Sequence, residues 1–283
     1  MTPTPHRPYR RTTYALPDAP LSYAQRVPTP DGAELATFVY GKLGAAAPVL
    51  VLHGNGGSHA AFAAVIDRLV TAGLAVVAFD SRAQGQSTRG TAALTYEQMA
   101  EDAIVVLDHL GVEKAHLLGY SDGGIEALLL ARDHADRVAS VVASGANLTP
   151  EGVVDEWNTA ESAQAGRAWA TFMEEGALPD DVDPTLLPSA STASLDAELL
   201  QLMVDEPHID AASLGCITCP TCVVVGEHDC ITPEETNAIA SSIPNARLVV
   251  LPGVGHSTPR QAPDSLACMV LTNVLLSLSA SME

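Results

Sequence analysis

The sequence predicts an α/β protein built on a mostly parallel, doubly wound sheet. Short aliphatic runs without polar alternation recur along the chain, which is typical of strands buried on both faces of a parallel sheet. Between them lie stretches whose apolar residues fall at helical spacing, and this alternation of strand and helix indicates the fold class. The six runs are residues 48–53, 74–80, 115–120, 138–143, 222–226 and 246–251.

Capping residues mark the boundaries of the predicted helices. Thr95-Tyr-Glu-Gln98 forms a capping box, and the helix that it begins ends at Gly111. Thr232, followed by Pro233 and two glutamates, predicts a second helix start. Residues 21–41, ahead of the first aliphatic run, are interpreted as two antiparallel strands.

One long interruption breaks the alternation. Residues 147–217 contain helix-like segments but no buried-strand run, and we interpret them as a small helical cap inserted after the sixth long strand. Within this cap, residues 151–216 hold 14 acidic residues and one basic residue. The core is then formed by residues 21–146 and 218–283, with residues 1–20 as an N-terminal arm.

The charge of the chain limits the classes of partner. The 283 residues carry a formal net charge of −20, from 14 basic and 34 acidic residues. Nucleic acids and anionic membrane surfaces are bound by basic footprints, so we expect neither as a partner. No apolar run reaches the ~18 residues of a transmembrane helix. The pair Arg10-Arg11 lacks the apolar segment of an export signal, so a cytoplasmic protein is expected.

The five cysteines are interpreted as structural thiols. An odd number in a chain without an export signal argues against a disulfide framework. The spacing Cys216-x-x-Cys219-x-x-Cys222 is compatible with a metal or thioredoxin-like site, but Cys222 continues directly into a strand run. We therefore expect neither a metal nor any other cofactor.

A serine lies at a predicted junction of strand and helix. Gly119-Tyr120-Ser121-Asp122-Gly123 follows one buried run and begins an apolar helix, which is the context of the G-x-S-x-G nucleophile elbow. Glycines two residues to either side give the backbone room for so tight a turn. Ser121 is therefore the predicted nucleophile.

A serine nucleophile needs a histidine base, and the base needs a carboxylate that orients it. His256 lies in the loop after the last strand, and Asp229 follows the strand before it, at the edge where open α/β sheets bind ligands. Glu227 and His228 are the alternative acid and base. They are less favoured because Glu227 is still close to the strand and His228 shares the loop of the acid.

A glycine-rich turn, His53-Gly-Asn-Gly-Gly57, follows the first long strand. Backbone N–H groups stabilise the oxyanion of an acyl-transfer reaction, and glycines let a carbonyl group approach them closely. We predict that the N–H groups of Asn55 and Asp122 form this oxyanion hole. The side chain of His53 is expected to hold the loop by a hydrogen bond.

Candidate substrate contacts lie next to the serine and in the cap. An acid in the first turn of a helix, such as Asp122, is favoured by the macrodipole, but it is also placed to pair with a cationic substrate group at the pocket floor. Trp157, Trp169 and Phe172 are the aromatic candidates in the cap. The alternative for Trp169 and Phe172 is that they pack the cap onto the sheet.

These motifs together resemble the α/β-hydrolase superfamily from about residue 21 to the C-terminus. The Gly-x-Ser-Asp-Gly-Gly segment at residues 119–124 is similar to the branch of valacyclovir hydrolase-like amino-acid ester hydrolases, which implies that Asp122 recognises a substrate amino group. The loop Asp80-x-Arg82 also matches the superfamily. Ala83 departs from it, because a glycine is usual at that position.

The resemblance implies hydrolysis of a small carboxylic ester, thioester or lactone through an acyl-enzyme on Ser121, without a cofactor. Two enzymatic alternatives keep the same triad, namely hydrolysis of a C–C bond and hydroxynitrile lyase chemistry. A further alternative is a ligand-binding or signalling protein that has kept the fold, because fold alone does not determine function.

Overall fold

We describe a computed structural model of the chain, which defines residues 14–154, 159–174 and 190–280. Trp157, one of the predicted substrate contacts, lies outside these described residues. Within them, no helix is both long enough and apolar enough to cross a membrane.

An eight-stranded sheet forms the centre of the fold, in the order β1-β2-β4-β3-β5-β6-β7-β8. Strand β1 is antiparallel to β2, and β2 to β4, whereas the remaining neighbours are parallel. This mostly parallel sheet confirms the predicted fold class. The strands are β1 (Leu21–Pro28), β2 (Glu34–Tyr40), β3 (Val49–Leu52), β4 (Val76–Phe79), β5 (Ala115–Tyr120), β6 (Val138–Ser144), β7 (Thr221–His228) and β8 (Ala246–Gly255).

Helices cover both faces of the sheet, as expected for aliphatic strands that are buried on two sides. The helices are α1 (Ala63–Thr71), α2 (Tyr96–His109), α3 (Asp122–Asp133), α4 (Thr159–Glu174), α5 (Ala190–Asp205), α6 (Pro233–Ser242), α7 (Thr258–Gln261) and α8 (Pro263–Ala280). Apolar residues of α1 and α8 pack on one face. Those of α2, α3 and α6 pack on the other.

The predicted helix starts are capped as the sequence indicates. The Thr95 side chain accepts a hydrogen bond from the N–H of Gln98 at 3.1 Å and begins α2. The Thr232 side chain accepts from the N–H of Glu235 and begins α6. Because β7 ends just before α6, this second cap fixes the course of the intervening loop, which contains Asp229.

Helices α4 and α5 lie between β6 and β7 in the chain and pack closely against each other. At Gly166 an added Cβ atom would lie 3.0 Å from the Cβ atom of Ala197, so a small residue is needed where the helices meet. Contacts to the core hold α5 in place: the side chain of Asn55 donates to the carbonyl of Leu199 at 3.0 Å, and Arg89 pairs with Glu198.

Candidate active site

Ser121 lies at the turn between β5 and α3, with φ of 55° and ψ of −121°. Positive φ is strained for a residue with a side chain and occurs where the surroundings enforce it. Here the surroundings also require glycine two residues before and two residues after Ser121. A Cβ atom at Gly119 would lie 1.9 Å from the carbonyl oxygen of Gly123, and one at Gly123 would lie 2.1 Å from that of Leu52.

Ser121, His256 and Asp229 form a continuous hydrogen-bonded row. The Ser121 hydroxyl donates to Nε2 of His256 at 3.0 Å, and Nδ1 of His256 donates to Oδ1 of Asp229 at 2.6 Å. The Asp229 carboxylate also accepts from the N–H of Ile231 at 3.1 Å and from that of Gly226. This arrangement fixes the tautomer in which Nε2 of His256 can accept a proton from the serine.

The electrostatics of this pair favour a charged carboxylate beside an imidazole that gains a proton readily. Burial acts to raise the pKa of Asp229, but the hydrogen bond and charge of His256 and the two N–H groups lower it. Burial acts to lower the pKa of His256, but the hydrogen bond and charge of Asp229 outweigh burial and raise it above 6.5. A developing imidazolium is therefore stabilised next to the serine.

The alternative acid and base point elsewhere. Glu227 and His228 are both exposed. The Glu227 carboxylate accepts a hydrogen bond from the N–H of Gly253 at 2.7 Å, which ties it to β8. It is thus Asp229 and His256 that the fold brings to Ser121.

The loop predicted to supply the oxyanion hole passes directly beside Ser121. A Cβ atom at Gly54 would lie 2.9 Å from the Cβ atom of Ser121. His53 holds this loop as expected: its Nε2 accepts from the N–H of Ser81 at 2.9 Å, and its Nδ1 donates to the carbonyl of Gly54 at 2.9 Å. Asp122 is the first residue of α3, where backbone N–H groups have no acceptor within the helix.

A cavity of about 250 Å³ opens above Ser121. Two acids, Asp122 and Glu151, lie in its wall, together with apolar residues of α5 and of the loop after β7. Lining residues within the described part of the chain are Ser121, Asp122, Asn147, Pro150, Glu151, Val153, Thr159, Ala160, Met203, Val204, Cys230, Ile231 and His256.

Two of the aromatic residues predicted to contact a substrate, Trp169 and Phe172, lie on α4. Trp169 is 4% exposed and packs with Ala170, Ala193 and Met173 between α4 and α5, with the ring of Phe172 at 5.9 Å. Neither Trp169 nor Phe172 is among the residues that line the cavity. Trp169 thus packs between α4 and α5 with the half-buried ring of Phe172 beside it, and a substrate contact of either residue stays a prediction.

Comparisons with known proteins agree with this architecture. A family model described as the alpha/beta hydrolase fold matches residues 47–183. A relative from Variovorax paradoxus (strain S110), named "Putative carbamate hydrolase RutD", is 30% identical over 227 residues, which cover 74% of this chain and 84% of the relative. The chain belongs to the α/β-hydrolase superfamily.

Two further relatives of this α/β hydrolase bear names of ester-cleaving enzymes. Rhodomycin D methylesterase DnrP of Streptomyces peucetius is 26% identical over 247 residues, covering 72% of this chain and 83% of the relative. A solved structure of a thermophilic esterase from Thermogutta terrifontis has a TM-score of 0.69 and 26% identity, and the match covers 90% of this chain and 99% of that one.

Asp122 is deeply buried and also lines the cavity of this hydrolase. Its side chain is 3% exposed and accepts hydrogen bonds from Nδ2 of Asn55 at 3.0 Å and from the hydroxyl of Tyr96. Burial raises the pKa of Asp122 to about 6, against the effect of these two donors.

One helical turn later, Glu126 is fully buried and has no hydrogen-bond partner within the described residues. Burial and the charge of Asp122 raise the pKa of Glu126 well above its ordinary value, which keeps this acid neutral.

Cys230 is the site residue that the sequence analysis missed, because it was interpreted as a structural thiol. It follows Asp229 directly, is 7% exposed, lines the cavity and is within hydrogen-bond reach of His256. Asp229, Cys230 and His256 present donor atoms that all lie within 4.8 Å of one another, so they form a group within the described residues that could hold a metal ion. In the sequence, the position of Cys230 directly after the predicted acid Asp229 could have indicated that this thiol lies at the site.

Proposed function

We propose that this α/β hydrolase cleaves small carboxylic esters, thioesters or lactones through an acyl-enzyme on Ser121. The observation that carries the proposal is the hydrogen-bonded row from Ser121 through His256 to Asp229, whose serine faces a cavity. A serine, a base and an orienting acid in this order are the parts that nucleophilic acyl transfer needs. The methylesterase and esterase relatives support the class of bond.

The reaction follows from the direction of each hydrogen bond. As Oγ of Ser121 attacks the carbonyl carbon, Nε2 of His256 takes its proton, and Asp229 stabilises the resulting imidazolium. The carbonyl oxygen becomes an oxyanion that accepts hydrogen bonds from the N–H groups of Asn55 and Asp122. When the tetrahedral intermediate collapses, His256 returns the proton to the leaving alcohol. Water then cleaves the acyl-enzyme by the same sequence of transfers, and the carboxylic acid leaves.

We assign residues 147–217 to a cap that bounds the substrate cavity. Thr159 and Ala160 of α4 and Met203 and Val204 of α5 form part of the cavity wall. Lids of this kind exclude water from the reacting centre and shape the substrate pocket. The size of the cavity, about 250 Å³, favours small substrates.

The charge of the cavity wall favours a neutral or cationic substrate over an anionic one. Asp122 and Glu151 both face the cavity, and its described wall contains no lysine or arginine. An amino-acid ester, as in the branch that the Ser121 segment resembles, would place its ammonium group near Asp122. The dianionic substrates typical of C–C bond hydrolysis would be repelled by the same acids.

Carbamate hydrolysis is the second candidate, because a relative that is 30% identical over 227 residues bears the name "Putative carbamate hydrolase RutD". The same attack by Ser121 on a carbamate carbonyl would release an amine, and His256 would protonate it. A panel of neutral, cationic and anionic esters together with matched carbamates separates the two activities. A chain that binds these compounds without turnover would instead be a ligand-binding protein.

Substitutions of the triad test the mechanism. Ser121→Ala and His256→Ala should each lower kcat/KM for the best ester by roughly 10³-fold or more, and the double variant should be little worse, because the residues act as one unit. A fluorophosphonate should label Ser121 alone. Ser241→Ala, at an exposed serine of α6, is the matched control and should keep full activity. Additive losses in the double variant would reject the assignment.

A further inference from the structure

One chemical feature of the site is not used by ester hydrolysis: a thiol beside the catalytic histidine and its acid. The thiol of Cys230, the carboxylate of Asp229 and the imidazole of His256 all lie within 4.8 Å of one another. The cluster is largely shielded, since the Asp229 side chain is 1% exposed and that of His256 is 15% exposed. Cys230 and His256 nevertheless both border the cavity, so a solute can reach them.

We propose that Asp229, Cys230 and His256 form a binding site for a thiophilic divalent cation of the Zn²⁺ class, and that its binding reversibly stops hydrolysis. The inhibitory half of this inference rests on the proposed function, whereas the binding half does not.

The donor set selects the class of cation. A thiolate, an imidazole and a carboxylate are the ligand types that Zn²⁺ combines, with a water molecule in the fourth position of an open site. The thiolate and the carboxylate carry two negative charges, which a divalent cation neutralises in a shielded environment. Mg²⁺ and Ca²⁺ require oxygen ligands and are disfavoured by the thiol.

The spacing of the donors fits such a site after small movements. Bonds to Zn²⁺ of about 2.0–2.3 Å place tetrahedral ligand atoms roughly 3.3–3.8 Å apart. The 2.6 Å contact between Nδ1 of His256 and Oδ1 of Asp229 has to open, and the thiol has to approach from within 4.8 Å. The backbone beneath is fixed, because the carbonyl of Cys230 accepts from the N–H of Val154 at 2.7 Å and Ile231 pairs with Val153. The open coordination position then faces the cavity.

The location of the cation explains why it would inhibit. The cation at Nδ1 displaces the single ring proton of neutral His256 to Nε2, and the proton of the Cys230 thiol leaves to solvent. The hydrogen bond between His256 and Asp229 is lost. Nε2 then carries the ring proton, so it cannot accept the proton of the Ser121 hydroxyl. A chelator should restore the triad.

Binding is tested directly with Co²⁺, which reports thiolate ligation through a charge-transfer band in the near ultraviolet. The wild-type full chain should give a saturable band. Cys230→Ser should remove the band, and His256→Ala should weaken cobalt binding by at least about tenfold. Cys216→Ser, at an exposed cysteine outside the cluster, is the matched control and should leave the band unchanged. A near-ultraviolet circular dichroism spectrum for each variant checks that its fold is intact.

Inhibition is measured as the ratio of rates with and without Zn²⁺ for each protein, so that altered basal rates do not matter. Wild type and Cys216→Ser should be inhibited and recover with a chelator, Cys230→Ser should need at least about tenfold more Zn²⁺, and Mg²⁺ should have no effect. A wild-type chain without the cobalt band, or a band unchanged in Cys230→Ser, would overturn the metal site. A cobalt band in a chain that cleaves no ester would support the site and reject the proposed function.

Discussion

Asp229 and Glu227 are two residues apart at the end of β7, and the turn between them determines their different surroundings. The N–H of Asp229 donates to the carbonyl of Gly226 at 3.2 Å, which bends the chain out of the strand. Asp229 is thereby directed to His256, whereas Glu227 stays beside β8. A sequence pattern ranks the two acids only by their distance from the strand, and the turn supplies the physical reason.

The roles of these two acids can be separated by isosteric substitutions. Asp229→Asn should leave the fold intact but lower kcat by up to ~10⁴-fold, because an amide favours the wrong tautomer of His256. Glu227→Gln is the matched control and should change kcat little. Steady-state kinetics on a single ester, with circular dichroism for the fold, make the comparison. An exchange of the two results would assign the orienting acid to Glu227.

The loop after β4 holds a residue whose backbone favours glycine. Ala83 has φ of 64°, in the left-handed region, and follows Arg82, which is fully buried and paired with Asp102 and Asp31. A side chain in this region costs about 1–2 kcal/mol. The sequence already identified Ala83 as a departure from the superfamily. The positive φ of Ala83 indicates that this departure lowers the stability of the fold.

Ala83→Gly should therefore raise the free energy of unfolding, by up to about 1 kcal/mol after the greater chain entropy of glycine is subtracted. Ala72→Gly is the control, because Ala72 is the C-cap residue of α1 with an ordinary φ of −75° and should lose stability on the same change. Urea unfolding measures both. A loss of stability in Ala83→Gly as large as that in Ala72→Gly would contradict the expected strain.

Strand β5 contains a titratable group inside the sheet. His116 is 4% exposed, its Nδ1 contacts the hydroxyl of Ser140 on β6 at 2.9 Å, and burial lowers its pKa to about 4. The unfolded chain binds a proton at this histidine near pH 6.5, whereas the folded chain does not until about pH 4. Stability from this group is therefore complete above pH 6.5 and is lost as pH falls toward 4.

His116→Gln should remove that component of the pH dependence. Between pH 6.5 and pH 4 the wild type should lose up to about 3 kcal/mol more unfolding free energy than the variant does. Urea midpoints across this range, compared as wild type minus variant, cancel the carboxylates common to both proteins. A constant difference across the range would show that His116 is protonated in the folded state.

The strands could be predicted from the sequence because burial determines their residue pattern. The role of a single side chain could not, because it depends on which residues contact that side chain in the folded protein. The aliphatic runs became strands β3 to β8, and β3 to β7 are buried on both faces, where a parallel sheet tolerates little else. The edge strand β8 is largely exposed. Trp169 and Phe172 were predicted either to contact a substrate or to pack the cap onto the sheet, because residue type alone does not tell which surface covers an aromatic ring. Within the described residues, Trp169 packs against Ala193 of α5. Cys230 was missed because a single thiol carries no periodicity at all.

At the scale of the whole molecule, the net charge of −20 acts mainly through its distribution. Exposed carboxylates are screened beyond a Debye length of about 8 Å at physiological ionic strength, so they affect encounter rates more than binding. Asp122 differs from them because it is buried against Ser121, with Tyr96 and Glu126 behind it. The cavity wall thus contains one desolvated acid, Asp122, beside the exposed Glu151.

This difference predicts selectivity for substrates with a free amino group. An ammonium group paired with the partly desolvated Asp122 is stabilised on the order of 2–5 kcal/mol relative to a site without the charge. The wild-type enzyme should prefer amino-acid esters to matched N-acyl esters, and Asp122→Asn should raise KM for the amino esters while sparing a neutral short-chain ester. Glu151→Gln, at an exposed acid of the same cavity, is the control, and its smaller effect should fade with added salt.

The pH dependence of this preference identifies the group that causes it. Asp122 has a pKa of about 6, so it is ionised above that pH and becomes neutral below it. The ratio of kcat/KM for amino esters to that for N-acyl esters should therefore fall as pH drops through about 6. The titration of His256 cancels from this ratio, because both substrates need the same base. In Asp122→Asn the ratio should be low and independent of pH. Equal rates of wild type on both kinds of ester would leave Asp122 as a residue of the helix start, and the ester hydrolase assignment would stand without it.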